Sequence, residues 1–411
     1  MKDSGIEWIR DIPVSWKIMP NKYLMRKEKK ICPVYHGEDI LSLTMKGVIV
    51  RDLDAGGKMP TSFDGYQRLE AGNLLMCLFD IDVTPRCVGL IKQAGVSSPA
   101  YSQFVLRKGA DAAYYCYYYT MLDNDKTLLH LAKNLRHSLT EDQLGAIPVI
   151  VPPIEEQQRI ADVLDTKCAE IDALIADIQS QIDTLEQYKR SIITETVTKG
   201  LNPDVEMKDS GIEWVGKIPA HWLVHPVYYY YGERKNKNYL GKEDNLLSLS
   251  YGKVVRKDIN TSDGLLPESF NTYNIVEMGD IIIRPTDLQN DKRSLRTGLV
   301  KEHGIITSAY IDLCPLKQVD SRYFHFILHA YDVMKVFYNM GNGVRQGLNY
   351  SEFSRLMVFE PPYEEQVAIA DYLEIKVIEV DAIIERKKEQ MSVLNAYKRS
   401  LIFEYVTGKK E

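Results

Sequence analysis

No Cys-x-x-Cys pair and no Cys/His cluster occurs in this 411-residue sequence. Its six cysteines (Cys32, Cys77, Cys87, Cys116, Cys168, Cys314) are scattered, so buried free thiols are expected rather than a zinc site or a disulfide framework. No apolar run approaches the ~20 residues that a bilayer span requires, which excludes a helical membrane protein. The opening "MKDSGIEWIR" has neither the basic nor the apolar region of a secretory signal, so a cytoplasmic location is expected. Glycine loops are missing too: there is no FxGxG loop for S-adenosylmethionine and no GxxxxGK[ST] phosphate loop. Nor is there an overall excess of positive charge, since the net charge is -6. That deficit has an address: residues 154-200 hold 10 acids and 5 bases and residues 363-411 hold 10 acids and 8 bases, which leaves the rest near neutral. A local basic face therefore remains open to a nucleic-acid partner.

What the chain does have is itself, twice. "MKDSGIEWIRDIPVSW" (1-16) returns as "MKDSGIEWVGKIPAHW" (207-222), identical at 11 of 16 positions. "PPIEEQQRIADVLDTKCAEIDALI" opens a stretch (152-200) that returns at 361-409 with 24 of 49 positions identical. Between these ends the agreement thins to anchors such as "LSL" (41-43 and 247-249) and "GL" (89-90 and 298-299), and the offset moves from 206 to 209. Two ends kept alike around two rewritten middles describe a scaffold with two independent reading heads, because uniform drift after a duplication would not spare the ends.

Neither repeated end is interrupted by Pro or Gly from 154 to 199 or from 363 to 407, and each follows "PPxEEQ". Proline fixes φ near its helical value at a first turn that cannot use the missing N-H, and the glutamates face the positive end of the helix dipole. At ~1.5 Å per residue these helices would run roughly 65-70 Å, too long for ordinary domain helices. Ile171, Ile175, Ile178, Ile182 and Leu185 mark an apolar stripe on the first, and Val380, Ile384, Met391 and Leu394 one on the second. Such stripes predict coiled-coil pairing, with the other copy as partner and an antiparallel arrangement if a pseudo-twofold axis relates the halves. The alternative is that each helix packs on its own domain.

The middles read as mixed α/β. "NLLMCLF" (73-79) and "DIIIR" (280-284) look like buried strands. "VLRKGADAAYYCYYYTML" and "DSRYFHFILHAYDVMKVF" look like amphipathic helices, whose aromatic stripes (Tyr114, Tyr115, Tyr117; Tyr323, Phe324, Phe326) we assign to the core. Loops carry the suggestive chemistry. "RPTDLQNDKRSLRTG" concentrates Arg284, Gln289, Asn290, Lys292, Arg293 and Arg296, whereas its counterpart "FDIDVTPRCVG" offers Arg86. Arg, Asn and Gln read guanine and adenine edges bidentately, and Lys and Arg neutralise phosphates. A solvated loop is the plain alternative. "LRHSL" (135-139) and "VRQGL" (344-348) align Arg136 with Arg345, residues that either pin a strand-loop junction or touch phosphate.

"EPPY" (360-363) invites comparison with the catalytic loop of a stand-alone DNA amino-methyltransferase, which needs Asn, Asp or Ser before the prolines and an aromatic to stack on an extruded base. Its twin at 151-154 reads "VPPI", so the shared element is the helix start and not that tetrad.

Taken together, the closing "PPxEEQ...IA...L..K...E.DA.I" and "YKRS.I.E.VT", the opening "KDSGIEW...IP..W" and the two variable middles resemble the DNA-specificity subunit of type I restriction-modification systems. The resemblance implies an α+β fold with two similar target-recognition domains (1-150 and 207-360), separated by a pair of long antiparallel coiled-coil helices in internal pseudo-twofold symmetry. Residues 151-206 and 361-411 would be the conserved helical spacers. It also implies a non-catalytic chain that reads a bipartite site on double-stranded DNA and docks two methyltransferase subunits, with restriction subunits in the full complex. On that view the chain binds no cofactor itself, and S-adenosylmethionine, ATP and Mg belong to the partners. The competing readings are the stand-alone methyltransferase and a coiled-coil scaffold that ignores DNA.

Overall fold

The computed structural model describes residues 1-410 apart from 55-59, 133-136, 260-268, 287, 289-294 and 341-346. It divides into two compact units, one made of Met1–Ile178 with Lys388–Glu411 and the other of Gln179–Lys387. Both are built on the same plan.

In the first unit a four-stranded antiparallel sheet runs in the order Met25–Glu28, Ser102–Leu106, Leu74–Met76, Val88–Leu90. The second unit repeats it as Tyr231–Glu233, Ile311–Pro315, Ile281–Ile283, Thr297–Leu299. Gln103 opposite Leu75 and Asp312 opposite Ile282 give the two sheets one register. A hairpin (Leu41–Thr44 with Gly47–Val50; Leu247–Ser250 with Lys253–Arg256) accompanies each sheet.

The aromatic helices Ala112–Asn124 and Ser321–Val333 lie in the core, as their spacing predicts: Tyr114, Tyr115, Tyr118 and Tyr119 are fully buried, and so are Tyr323 and Tyr331. Burying phenols requires partners for their hydroxyls. Tyr114 donates to the Val406 carbonyl (2.8 Å) and Tyr323 to the Val197 carbonyl (3.3 Å), each at the far end of a long helix.

Two uninterrupted helices, Ile154–Lys199 and Tyr363–Val406, contribute to both units. In the first unit Ile160 and Leu164 share a core with Leu401 and Val406 while Lys398 binds Asp172 (2.6 Å), so the two helices run antiparallel. In the second, Ile193 and Val197 share a core with Ile369 and Leu373 while Lys189 binds Asp381 (2.7 Å). The register is the same in both, since 17 steps forward from Asp172 to Lys189 match 17 steps back from Lys398 to Asp381. Every residue of the predicted stripe points inward: Ile171, Ile182, Val380 and Ile384 are buried, and Ile175, Ile178, Leu185, Met391 and Leu394 are half-buried. The fold class expected from the sequence, mixed helix and strand in two like units with long antiparallel helices, is the one observed.

The "PPxEEQ" helix start does more than begin a helix. Glu156 accepts from the Trp16 indole (2.8 Å) and Glu365 from that of Trp222 (3.2 Å), which locks the repeated "IPxxW" segment onto the first turn. Gln157 and Gln366 accept from the backbone N-H of Asp111 (2.8 Å) and Asp320 (3.0 Å), the residues that cap the aromatic helices. The two repeated ends are thus halves of one joint, which explains why both stay fixed while the middles vary.

The sheets differ in how a buried polar side chain at the same position is satisfied. Gln103 satisfies itself, accepting from the Glu70 N-H (2.8 Å) and donating to the Arg68 carbonyl (3.2 Å). The carboxylate of its equivalent Asp312 has no hydrogen-bond partner among the described residues: Arg234 turns its Nε and Nη2 to Asp280 (2.8 and 3.1 Å) and stays 3.8 Å away. Burial first, then the Asp280 charge, pushes Asp312 up to about 8. Folding therefore takes up a proton that the unfolded chain releases near pH 4, and the contribution of Asp312 to stability falls as pH rises from there towards 8. Asp312→Asn removes the titration. We expect the variant to gain on the wild type by on the order of 1 kcal/mol per pH unit between pH 5 and 8, read from denaturant melts; parallel pH profiles would refute it.

Candidate nucleic-acid interface

In each unit the segments singled out by their cations are neighbours. The loop that leaves strand Leu74–Met76 meets the one ending at Leu139: Leu139 donates to the Leu78 carbonyl (2.8 Å), Ile81 to that of His137 (3.2 Å), and His137 bonds Asp82 (2.9 Å). The last contact holds the Asp82 carboxyl below its ordinary range. In the second unit the loop leaving Ile281–Ile283 meets the one ending at Leu348, which donates to the Pro285 carbonyl (3.0 Å). Within the rewritten middles, each pair of loops is carried on a sheet and an aromatic helix that the two units share in plan.

Both pairs are anchored on one device that the sequence analysis missed. Asp123 and Asp332, at the ends of the aromatic helices, are buried and accept the backbone N-H of Cys87 (2.9 Å) and of Arg296. Three residues on, Lys126 and Lys335 adopt left-handed φ (49° and 60°). Lys126 bonds both Asp123 and the Thr84 carbonyl at 2.8 Å, and Lys335 donates to Tyr338 Oη at 2.8 Å. The constant offset of 209 between these Asp and Lys pairs was the available signal.

The anchors also change the standing of two predicted contacts. Arg296, read as a loop cation, is fully buried: its Nε donates to Tyr338 Oη (2.9 Å), its Nη1 to the Thr286 carbonyl, and its guanidinium lies 5.1 Å from the Tyr338 ring centroid. A guanidinium so enclosed holds its loop together instead of meeting solvent. Burial pushes Tyr338 up to about 12 and raises Asp332 as well. Arg86, with a side chain 17% exposed, bonds Asn124 (3.2 Å) and stands 3.7 Å from Asp123, so it too is committed to the anchor. Arg284 is half-buried at the start of its loop, where its N-H binds the Arg296 carbonyl (2.8 Å). Arg136, Gln289, Asn290, Lys292, Arg293 and Arg345 lie outside the described residues.

At the head of the "EPPY" segment Glu360 ends a strand and takes the Tyr230 hydroxyl (2.8 Å), and Tyr363 begins the long helix. Among the described residues no group of three or more His, Cys, Asp or Glu is placed to hold a metal, and no helix is long and apolar enough to cross a membrane.

Two like units of mixed sheet and helix joined to long antiparallel helices define a fold shared with a solved chain from work on complex assembly and conformational transition of the type I R-M system. That chain superposes over 97% of this one and 100% of its own length, with a TM-score of 0.69 at 13% identity. Residues 88–189 match the type I restriction modification DNA specificity domain. The putative type I restriction enzyme MjaX specificity subunit of Methanocaldococcus jannaschii is 25% identical over 278 residues, 66% of this chain and 61% of its own length. The MjaVIII specificity subunit from the same organism is 25% identical over 285 residues, 64% of this chain and 62% of its own. The match thus spans less than two thirds of these relatives. Residues 88–189 are thus similar to the type I DNA specificity domain, about two thirds of the chain is similar to type I specificity subunits, and the fold is that of the solved chain.

Proposed function

We propose that this chain is the non-catalytic, DNA-reading subunit of a type I restriction-modification complex. The observation that carries the reading is the pair of cation-bearing loops that meets in each unit beside a sheet of the same strand order. Each pair would read one half of a split, asymmetric site on double-stranded DNA, with base edges read in the grooves and phosphates fixing register. The shared helices and joints would present a constant surface to two methyltransferase subunits and, through them, to restriction subunits. Those partners would bring S-adenosylmethionine, ATP and Mg.

Exchange of residues 17-150 for the matching segment of another family member tests this. The expected outcome, read from the methylation pattern of a host genome, is a change in one half of the target and none in the other. Alteration of both halves, or of neither, would refute modular reading. Transfer of labelled methyl groups to DNA by the purified chain alone would instead make it an enzyme.

A further inference from the structure

The hairpin of the second unit ends in a turn whose chemistry runs against its shape. Ser250 pairs with Lys253, leaving Tyr251-Gly252 as a two-residue loop with φ of +47° and +78°, the type I′ geometry. Asn, Asp or Gly is the local choice at the first of these positions, and a bulky side chain in the left-handed region costs roughly 1 kcal/mol. The chain places a tyrosine there nonetheless, and leaves it 87% exposed, more than any other large hydrophobic residue among those described. A strained position that also wastes apolar surface points to a use outside the fold.

The ring is held firmly. Four residue pairs, Leu247–Arg256 to Ser250–Lys253, lock the hairpin register. Gly252 seats on Leu295, where a Cβ would stand 2.9 Å from Leu295 Cδ1, and Gly298 lies beneath Leu249 and Val254. Leu295 precedes Arg296 at the close of the rewritten loop, so the tip continues the candidate interface. Lys253, 3.5 Å from Asp381, follows the turn directly, and the exposed Arg256, paired with Glu302, and Lys257 lie at the other end of the same strand. The first unit has Met45-Lys46 in this place, with Gly47 alone taking the left-handed φ (+88°), so the tip is one more point where the repeat is rewritten.

We infer that Tyr251 is a specificity-determining DNA contact, its ring stacking on a base step within the half-site read by the second unit while the neighbouring cations meet phosphates. Base-aromatic stacking is worth about 1-3 kcal/mol, more than the turn strain, with the parting of a duplex base step repaid by the wider contact it permits. The inference rests on the proposed DNA-reading function, and the two fail differently.

The test uses the full-length chain and a randomised duplex DNA library, with enriched sequences read position by position. Asn suits the turn, so Tyr251→Asn is expected to melt no lower than the wild type. It is also expected to bind the enriched duplex about tenfold more weakly and to lose base preference at one or two adjacent positions of a single half-site; Tyr251→Phe keeps the ring and should stay within about twofold. Binding and preferences unchanged by Tyr251→Asn would overturn the inference and leave the reading function standing. An equal loss on every duplex would overturn base-step stacking, and weakened assembly with methyltransferase subunits at unchanged DNA binding would reassign the ring to a protein partner. A wild-type chain that enriches no sequence would overturn both.

Discussion

Replacement of Arg296 by methionine lowers the stability of the second unit by about 3 kcal/mol or more, while the salt dependence of DNA binding keeps its slope. The first part follows from enclosure. Arg296 is fully buried, and the groups it leaves behind are the hydroxyl of buried Tyr338 and the carbonyl of Thr286, each with one partner fewer. Removing one member of a buried, charged hydrogen-bonded set commonly costs about 3-5 kcal/mol, because the remainder is desolvated and unmatched. Methionine restores most of the lost volume, so the measured loss reports polar contacts rather than a cavity. The second part follows from position. A phosphate contact contributes close to one unit to the slope of log K against log salt, and a buried guanidinium contributes none. Denaturant melts and a salt titration on the same variant decide the matter: unchanged stability with a shallower slope would return Arg296 to the DNA surface.

Trp16→Ala and Trp222→Ala are the other large effects, each expected to cost about 3-5 kcal/mol. Both indoles are fully buried, and each meets the first turn of one long helix and the glycine just beyond the other. Trp222 bonds Glu365 at 3.2 Å, stacks on Phe359 at 5.8 Å between centroids, and lies against Gly200, which takes φ +74° just beyond the long helix. Trp16 repeats the arrangement with Glu156 and with Gly408 at φ +69°. A Trp→Phe change keeps most of the buried area but strands the glutamate, so the difference between Phe and Ala at each site separates packing from the indole bond. Losses below about 1 kcal/mol at both sites would show that the joint is not what fixes the repeated ends.

Much of this architecture was legible in advance, for physical reasons. The repeats are a matter of spelling, the long helices of uninterrupted apolar period, and the burial of Tyr114 and Tyr323 of helical spacing. Arg296 was not legible. A run of cations reads as a surface until it is known that Tyr338 and Thr286 close over one of them, and those residues lie 42 and 10 positions away. The anchors Asp123 and Asp332 escaped notice because a lone acid at a helix end has no composition signal; only the constant offset distinguishes them. The "PPxEEQ" motif was read as a helix start, which it is, while the partners of its Glu and Gln come from segments 140 and 46 residues away that no local pattern connects. Of the nine predicted DNA contacts, the three described ones were informative chiefly by showing which arginines the loops use internally.

The swapped helix ends bear on how the molecule comes into being. The hydroxyl of Tyr114 waits for the Val406 carbonyl, 292 residues later, whereas Tyr323 finds Val197 already synthesised. On a ribosome, the second unit has all its parts once residue 387 has emerged, but the first remains open at one face until the last turn of the last helix is made. Truncation after Lys387 therefore spares the unit that contains it and injures the one built mainly from Met1–Ile178.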